Sequence, residues 1–161
     1  MKGFPYFYII DSGNICNLHC PLCPSGNKSL GRKLRTVSFE EFQEVIDRIR
    51  DYAYEISLHN WGEPFLNRDI FKMISYCTEN NISTNLSSNL NASDISAEKL
   101  VDSGLEYLVV SVDGITQEVY EKYRVGGNLE TVLANLRNII NTKKTKKSAF
   151  PIIEWQFIVM K

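Results

Sequence analysis

Short apolar runs alternate with amphipathic helical patterns along this 161-residue chain, and that alternation restricts the fold more than any other feature of the sequence. Tyr6 to Ile10 (YFYII) is an aromatic and β-branched run that ends at a turn-forming DSGN, as a buried strand does. Ser38-Phe39-Glu40-Glu41 fits a capping box, and Phe42, Val45, Ile46 and Ile49 follow at helical spacing, so residues 39–50 should be an amphipathic helix. EISLHNW (55–61) reads as a second strand, stopped by Gly62 and Pro64. Asn67 is a candidate cap for a helix whose apolar side carries Ile70, Phe71, Ile74 and Cys77. NISTNLSS (81–88) is a third strand, and SAEKLVDSG a short helix that Gly104 can end. YLVVSVD (107–113) is almost continuously apolar, as expected of a strand covered on both faces. Helices over 116–123 and 128–141 and a fifth strand over 152–160 complete a β-α-β-α-β-α-β-α-β order. Such an order implies an α/β fold with a parallel sheet and right-handed crossovers, and reactive groups in such sheets collect at the C-terminal ends of the strands.

Composition adds exclusions. A net charge of −1 offers no basic field for nucleic acid, and no apolar stretch reaches the roughly 20 residues of a membrane span. The basic run KKTKK (143–147) reads as a solvated loop. MKGFPYFYII lacks a following small-residue cleavage site and reads as a strand, not a secretion signal, so a cytoplasmic location with reduced thiols is expected. No repeat or linker marks a second domain.

In that setting three cysteines within eight residues suggest a metal centre. CNLHCPLC places Cys16, Cys20 and Cys23 at C-x3-C-x2-C, close enough to converge on one site at little cost in loop entropy. Structural zinc is normally closed by four ligands, and no second cysteine pair is present; His19, between two of the cysteines, is poorly placed to supply the fourth. An iron–sulfur cubane held by three cysteines keeps one iron open to an outside ligand. Cys77 lies on the apolar face of its helix and reads as a core thiol. His59 alternates with Trp61 and reads as a pocket-wall histidine.

CNLHCPLC after a first strand resembles the cluster signature of the radical S-adenosylmethionine (SAM) superfamily, and the likeness extends over roughly residues 5–161. The resemblance implies a [4Fe–4S] cluster on Cys16, Cys20 and Cys23 whose open iron chelates SAM. It also implies reductive cleavage to a 5′-deoxyadenosyl radical that takes hydrogen from a substrate. WGEP (61–64) stands where the family has Gly-Gly-Glu, with Trp61 in place of a glycine; Gly62 allows close backbone approach, and Glu63 would accept from the methionine ammonium. SSN (87–89) resembles Thr-Asn-Gly, with Ser88 and Asn89 at its first two positions and Leu90 replacing the glycine. SVDG (111–114) followed by YEKYRVGG (120–127) resembles the pattern of members with extra C-terminal cluster domains, the SPASM and twitch group. That likeness assigns Ser111 and Arg124 to the SAM carboxylate and Asp113 either to the turn or to the ribose.

The fold so implied is a partial (β/α) TIM-like barrel, about five of the six β/α units of a radical SAM core. One domain over 1–161, ending after the fifth strand with an unpaired apolar edge, is expected to be a truncated core. Expected partners are a one-electron donor such as a flavodoxin or ferredoxin and a peptide or small-molecule substrate, with no nucleic acid and no membrane. Two rivals are an iron–sulfur binding or electron-transfer fragment without catalysis, and a zinc-stabilised module.

Overall fold

The computed structural model describes residues 3–159. Five strands, β1 (Phe7–Ile9), β2 (Glu55–Ser57), β3 (Ser83–Ser88), β4 (Tyr107–Ser111) and β5 (Ile152–Gln156), form one sheet in chain order, every neighbouring pair parallel. Parallel neighbours in chain order require each connection to cross the same face. Helices α1 (Phe39–Ile49), α2 (Ile70–Glu79), α3 (Ala97–Asp102), α4 (Gln117–Tyr123) and α5 (Leu129–Lys146) make those crossings. The sheet is thus the parallel α/β arrangement that the alternation predicts.

The two faces of the sheet differ in chemistry. Ile56, Leu86, Leu108 and Val110 point to the helices and are fully buried with Ile46, Met73, Ile74 and Leu100. Residues one position out of phase, among them Glu55, Ser57, Asn85, Ser87 and Ser111, face the concave side. There Asn85 Nδ2 donates to Glu55 Oε1 at 2.6 Å, and the Ser87 and Ser111 hydroxyls lie 3.3 Å apart. Along β2 and β3 the period of two therefore separates a stabilising apolar face from a polar one, whereas β1 and β4 add Phe7, Ile9, Tyr107 and Val109 to the concave side.

Several local expectations change. The second strand ends at Ser57, well before Trp61, because the chain bends at Asn60 to bring Gly62 against residues 13–15. The fourth strand likewise stops at Ser111, and Asp113 is left-handed (φ 57°). The fifth ends at Gln156, and Met160 lies outside the described residues. Asn67 does not cap α2. Its Nδ2 instead donates to the carbonyls of Ser12 (2.7 Å) and Val37 (2.9 Å), joining three loops, and α2 begins after Asp69 without a side-chain cap. KKTKK is not a loop: α5 continues to Lys146, whose ammonium pairs with Asp102 at 2.6 Å. Lysines in a last helical turn face the negative end of the helix dipole, which favours that extension. The Ser38/Glu41 capping box of α1 is present as read.

Candidate functional site

The loops that follow β1 to β4 meet above the C-terminal ends of the strands. Cys16, Cys20, Cys23, Gly62, Glu63, Ser88, Asn89, Ser111 and Arg124 all line one cavity of about 150 Å³. The cysteine loop is laced to each neighbour. Glu63 N donates to the Ile15 carbonyl (2.8 Å), Gly62 N to Ser25 Oγ (2.9 Å), and His19 N to the Val125 carbonyl (2.9 Å). Gly62 has φ 84°, and a Cβ there would stand 2.7 Å from the Gly13 oxygen, so only glycine fits. Gly26 packs as tightly, since its Cβ would fall 2.5 Å from both the nitrogen and the oxygen of Cys20.

Three sulfurs face this cavity with polar hydrogens directed at two of them. Leu18 N (3.5 Å) and Asn89 Nδ2 (3.8 Å) donate to Cys16 Sγ, and Arg124 Nη1 donates to Cys20 Sγ at 3.9 Å. Burial pushes the thiols of Cys16 and Cys20 above their ordinary range; the Leu18 N–H and Arg124, respectively, act against it. Among the described residues, no three His, Cys, Asp or Glu side chains are gathered at the distances of a single metal ion. Three thiols on the wall of one cavity are a donor set suited to a soft metal centre.

Glu63 is buried at 5% exposure, and its two oxygens accept from Ser88 Oγ (2.6 Å), Asn89 N (2.8 Å) and Phe65 N (3.3 Å). Desolvation nevertheless holds its pKa above the ordinary carboxylate value, those three donors acting against it. The ion pairs among the described residues do not include Glu63. A buried carboxylate that forms no ion pair, with Arg124 acting on it only through its field, is suited to receiving a cation from a ligand. The same carboxylate shapes the turn after β3, where Leu90 takes φ 50° at the position of the expected glycine and is itself fully buried.

Asp113 is not on the cavity wall. Its carboxylate, 1% exposed, stands behind Arg124, accepting from Nε at 2.6 Å and, through the other oxygen, from Ile158 N at 2.7 Å. Burial opposes the charge on Arg124, but Asp113, and after it the Cys20 sulfur, raise its pKa above the ordinary arginine value. The pair fixes the guanidinium on its Nε and Nη2 side and leaves Nη1 toward Cys20. His59 also lines the cavity, with Nδ1 3.1 Å from Ser57 Oγ, and burial lowers its pKa below the ordinary histidine value. Ser87, from SSN but given no role in the sequence reading, and Gly26, outside every motif read there, share the wall. Cys77 is fully buried in the core, where burial pushes its thiol up to about 12.

Comparison with known proteins gives concordant results. The family model described as the radical SAM superfamily matches residues 10–152. An Fe-coproporphyrin III synthase from Methanosarcina barkeri is 31% identical over 125 residues, 76% of this chain and 31% of that protein. A protein named "Probable GTP 3',8-cyclase" from Methanococcus maripaludis is 30% identical over 132 residues, 81% of this chain and 44% of that one. The chain therefore spans between about a third and under half of these relatives. Among solved structures, Streptococcus suis SuiB bound to S-adenosylmethionine superposes with a TM-score of 0.78 at 20% identity, over 99% of this chain and 35% of that one.

Proposed function

This chain belongs to the radical SAM superfamily, and from that premise we propose that it carries a [4Fe–4S] cluster on Cys16, Cys20 and Cys23 and binds S-adenosylmethionine beside it for reductive cleavage. The observation that carries this reading is one cavity lined by the three cysteines together with Glu63, Ser111 and Arg124. Its donor chemistry fits both groups: thiols for iron, a buried carboxylate for an ammonium, a guanidinium and a hydroxyl for a carboxylate. When bound, the cluster supplies one electron to the sulfonium, giving methionine and a 5′-deoxyadenosyl radical that takes a hydrogen atom from a peptide or small molecule.

The chain's own residues perform the positioning. Burial favours the protonated thiols, so cluster assembly releases protons from Cys16 and Cys20. The N–H donors from Leu18, Asn89 and Arg124 then stabilise sulfur charge. Glu63 receives the methionine ammonium, and that cation favours the ionised carboxylate against the cost of its burial. Arg124, held from behind by Asp113, and Ser111 hold the methionine carboxylate. Gly62 allows backbone approach at the ligand. Ser57, Asn85 and Ser87 on the concave face supply hydrogen-bonding groups toward the hydrogen donor. A flavodoxin or ferredoxin would provide the electron.

Anaerobic reconstitution tests the proposal. About four irons and four sulfides per chain are expected, with 5′-deoxyadenosine and methionine formed on addition of SAM and dithionite. Zinc retained in place of iron, or a cluster that cleaves no SAM, would overturn it.

A further inference from the structure

We propose that the exposed segment 27–36 is the docking surface for an acidic one-electron carrier protein, delivering its electron through the partition that separates this surface from the cysteine cavity. The inference rests on the cluster reading above and adds where the reductant binds. Four of the chain's 18 cationic residues, Lys28, Arg32, Lys33 and Arg35, fall within eight positions, and none of its 19 acidic residues lies between positions 12 and 39. Arg35 pairs with Glu41, whereas Lys28, Arg32 and Lys33 are absent from the ion pairs among the described residues. On a chain of net charge −1 this is a local positive field beside the site that needs an electron.

The place of the segment supports that partner. It borders a second cavity, of about 300 Å³, whose wall includes Arg32, Lys33, Arg35 and Trp61. Asp11, the carboxylate on that wall, accepts the Trp61 N–H at 2.9 Å through one oxygen. The next residues, Gly62 and Glu63, line the cysteine cavity, and the backbone contact of Gly62 with residues 13–15 lies between residues of the two walls. The segment is fastened to this partition by a bridge between Gly13 and Thr36 and by Asn14 Nδ2 donating to the Lys33 carbonyl at 3.0 Å. Beside the charges, Leu22 and Leu34 are 77% and 59% exposed. A charged rim around a few apolar contacts suits the small, transient encounters of electron-transfer partners. In the step itself the carrier loses one electron and the cluster gains one; no bond forms or breaks.

Flavodoxin is the probe. Its reduced form should bleach the visible absorbance of the reconstituted chain at a rate that falls with ionic strength. Arg32→Glu/Lys33→Glu should lower the association rate roughly tenfold or more. Iron content, melting temperature and bleaching by dithionite should stay unchanged. Lys144→Glu/Lys147→Glu, equal in charge change but at the C-terminal end of α5, should leave the flavodoxin rate unaltered. Binding of oxidised flavodoxin to the cluster-free chain, followed by surface plasmon resonance, should show the same pattern of variants, which separates this surface from the cluster reading. If no iron is retained, the cluster reading fails while this binding arm still decides the surface. Unchanged flavodoxin binding and bleaching in Arg32→Glu/Lys33→Glu, equal losses in both double variants, or binding of an acidic peptide or single-stranded DNA to the segment as tightly as flavodoxin would overturn the proposal.

Discussion

Asp113→Asn separates the charge of Asp113 from its shape. The side chains of Asp113 and Arg124 are 1% and 14% exposed, and the guanidinium is held through Nε at 2.6 Å. Asparagine keeps the volume and an oxygen for the Ile158 N–H, but leaves a largely buried cation without its counter-charge. Breaking a buried pair from one side costs about 3–5 kcal/mol, and the remaining exposure of Arg124 with the Cys20 sulfur beside it argues for the lower end, about 3 kcal/mol. At about 2–4 °C per kcal/mol for a chain of this size, the melting temperature should fall by about 6–12 °C, read by circular dichroism on the metal-free chain. Arg124→Met in the same chain removes the stranded cation. The double variant should therefore lose about 2 kcal/mol less than the sum of the two singles. A fall below about 2 °C for Asp113→Asn, or strict additivity in the double variant, would refute the idea that Asp113 acts through Arg124.

Leu90 should reverse the usual order of small substitutions. Its side chain is fully buried at φ 50°, so Leu90→Ala should cost about 3 kcal/mol, and Leu90→Gly about 1 kcal/mol less than the alanine, by denaturant titration. Gly26→Ala would place a methyl 2.5 Å from the Cys20 backbone; iron incorporation should drop to the level of Cys20→Ser while far-ultraviolet dichroism is kept. Glu41 is held below its ordinary pKa by the Ser38 N–H first and by Arg35. A depressed carboxylate stabilises fully above the unfolded value and loses that contribution as pH falls through the folded one. Glu41→Gln should therefore flatten the loss of melting temperature as pH is lowered below 4.5, the ordinary value for this carboxyl.

Strand order, the helix-covered face and the cysteine spacing were legible because each is written in local periodicity. Leu86 alternates with polar residues, Leu108 to Val110 form an unbroken apolar run, and Phe42, Ile46 and Ile49 recur at helical spacing, whatever the rest of the chain does. Boundaries were less legible. The second strand ends at Ser57 although EISLHNW continues the pattern, since docking of Gly62 on residues 13–15 outweighs the strand propensity of the residues before it.

The site divides in the same way. The sequence alone determined which residue types stand at the strand ends, because motif spacing and strand order bring Cys16, Glu63, Asn89, Ser111 and Arg124 to one end of a parallel sheet. Tertiary structure alone decided what each side chain does there. Asp113 turned from the cavity to hold Arg124, Asn67 left its helix to join three loops, and Arg32 and Lys33 came to share a cavity wall with Trp61, the neighbour of Gly62. The physical reason is range: periodicity is set by neighbours along the chain, whereas a buried polar group must be satisfied by whatever folding brings beside it, and for Asp113 and Arg124 those partners lie 11 residues apart in sequence.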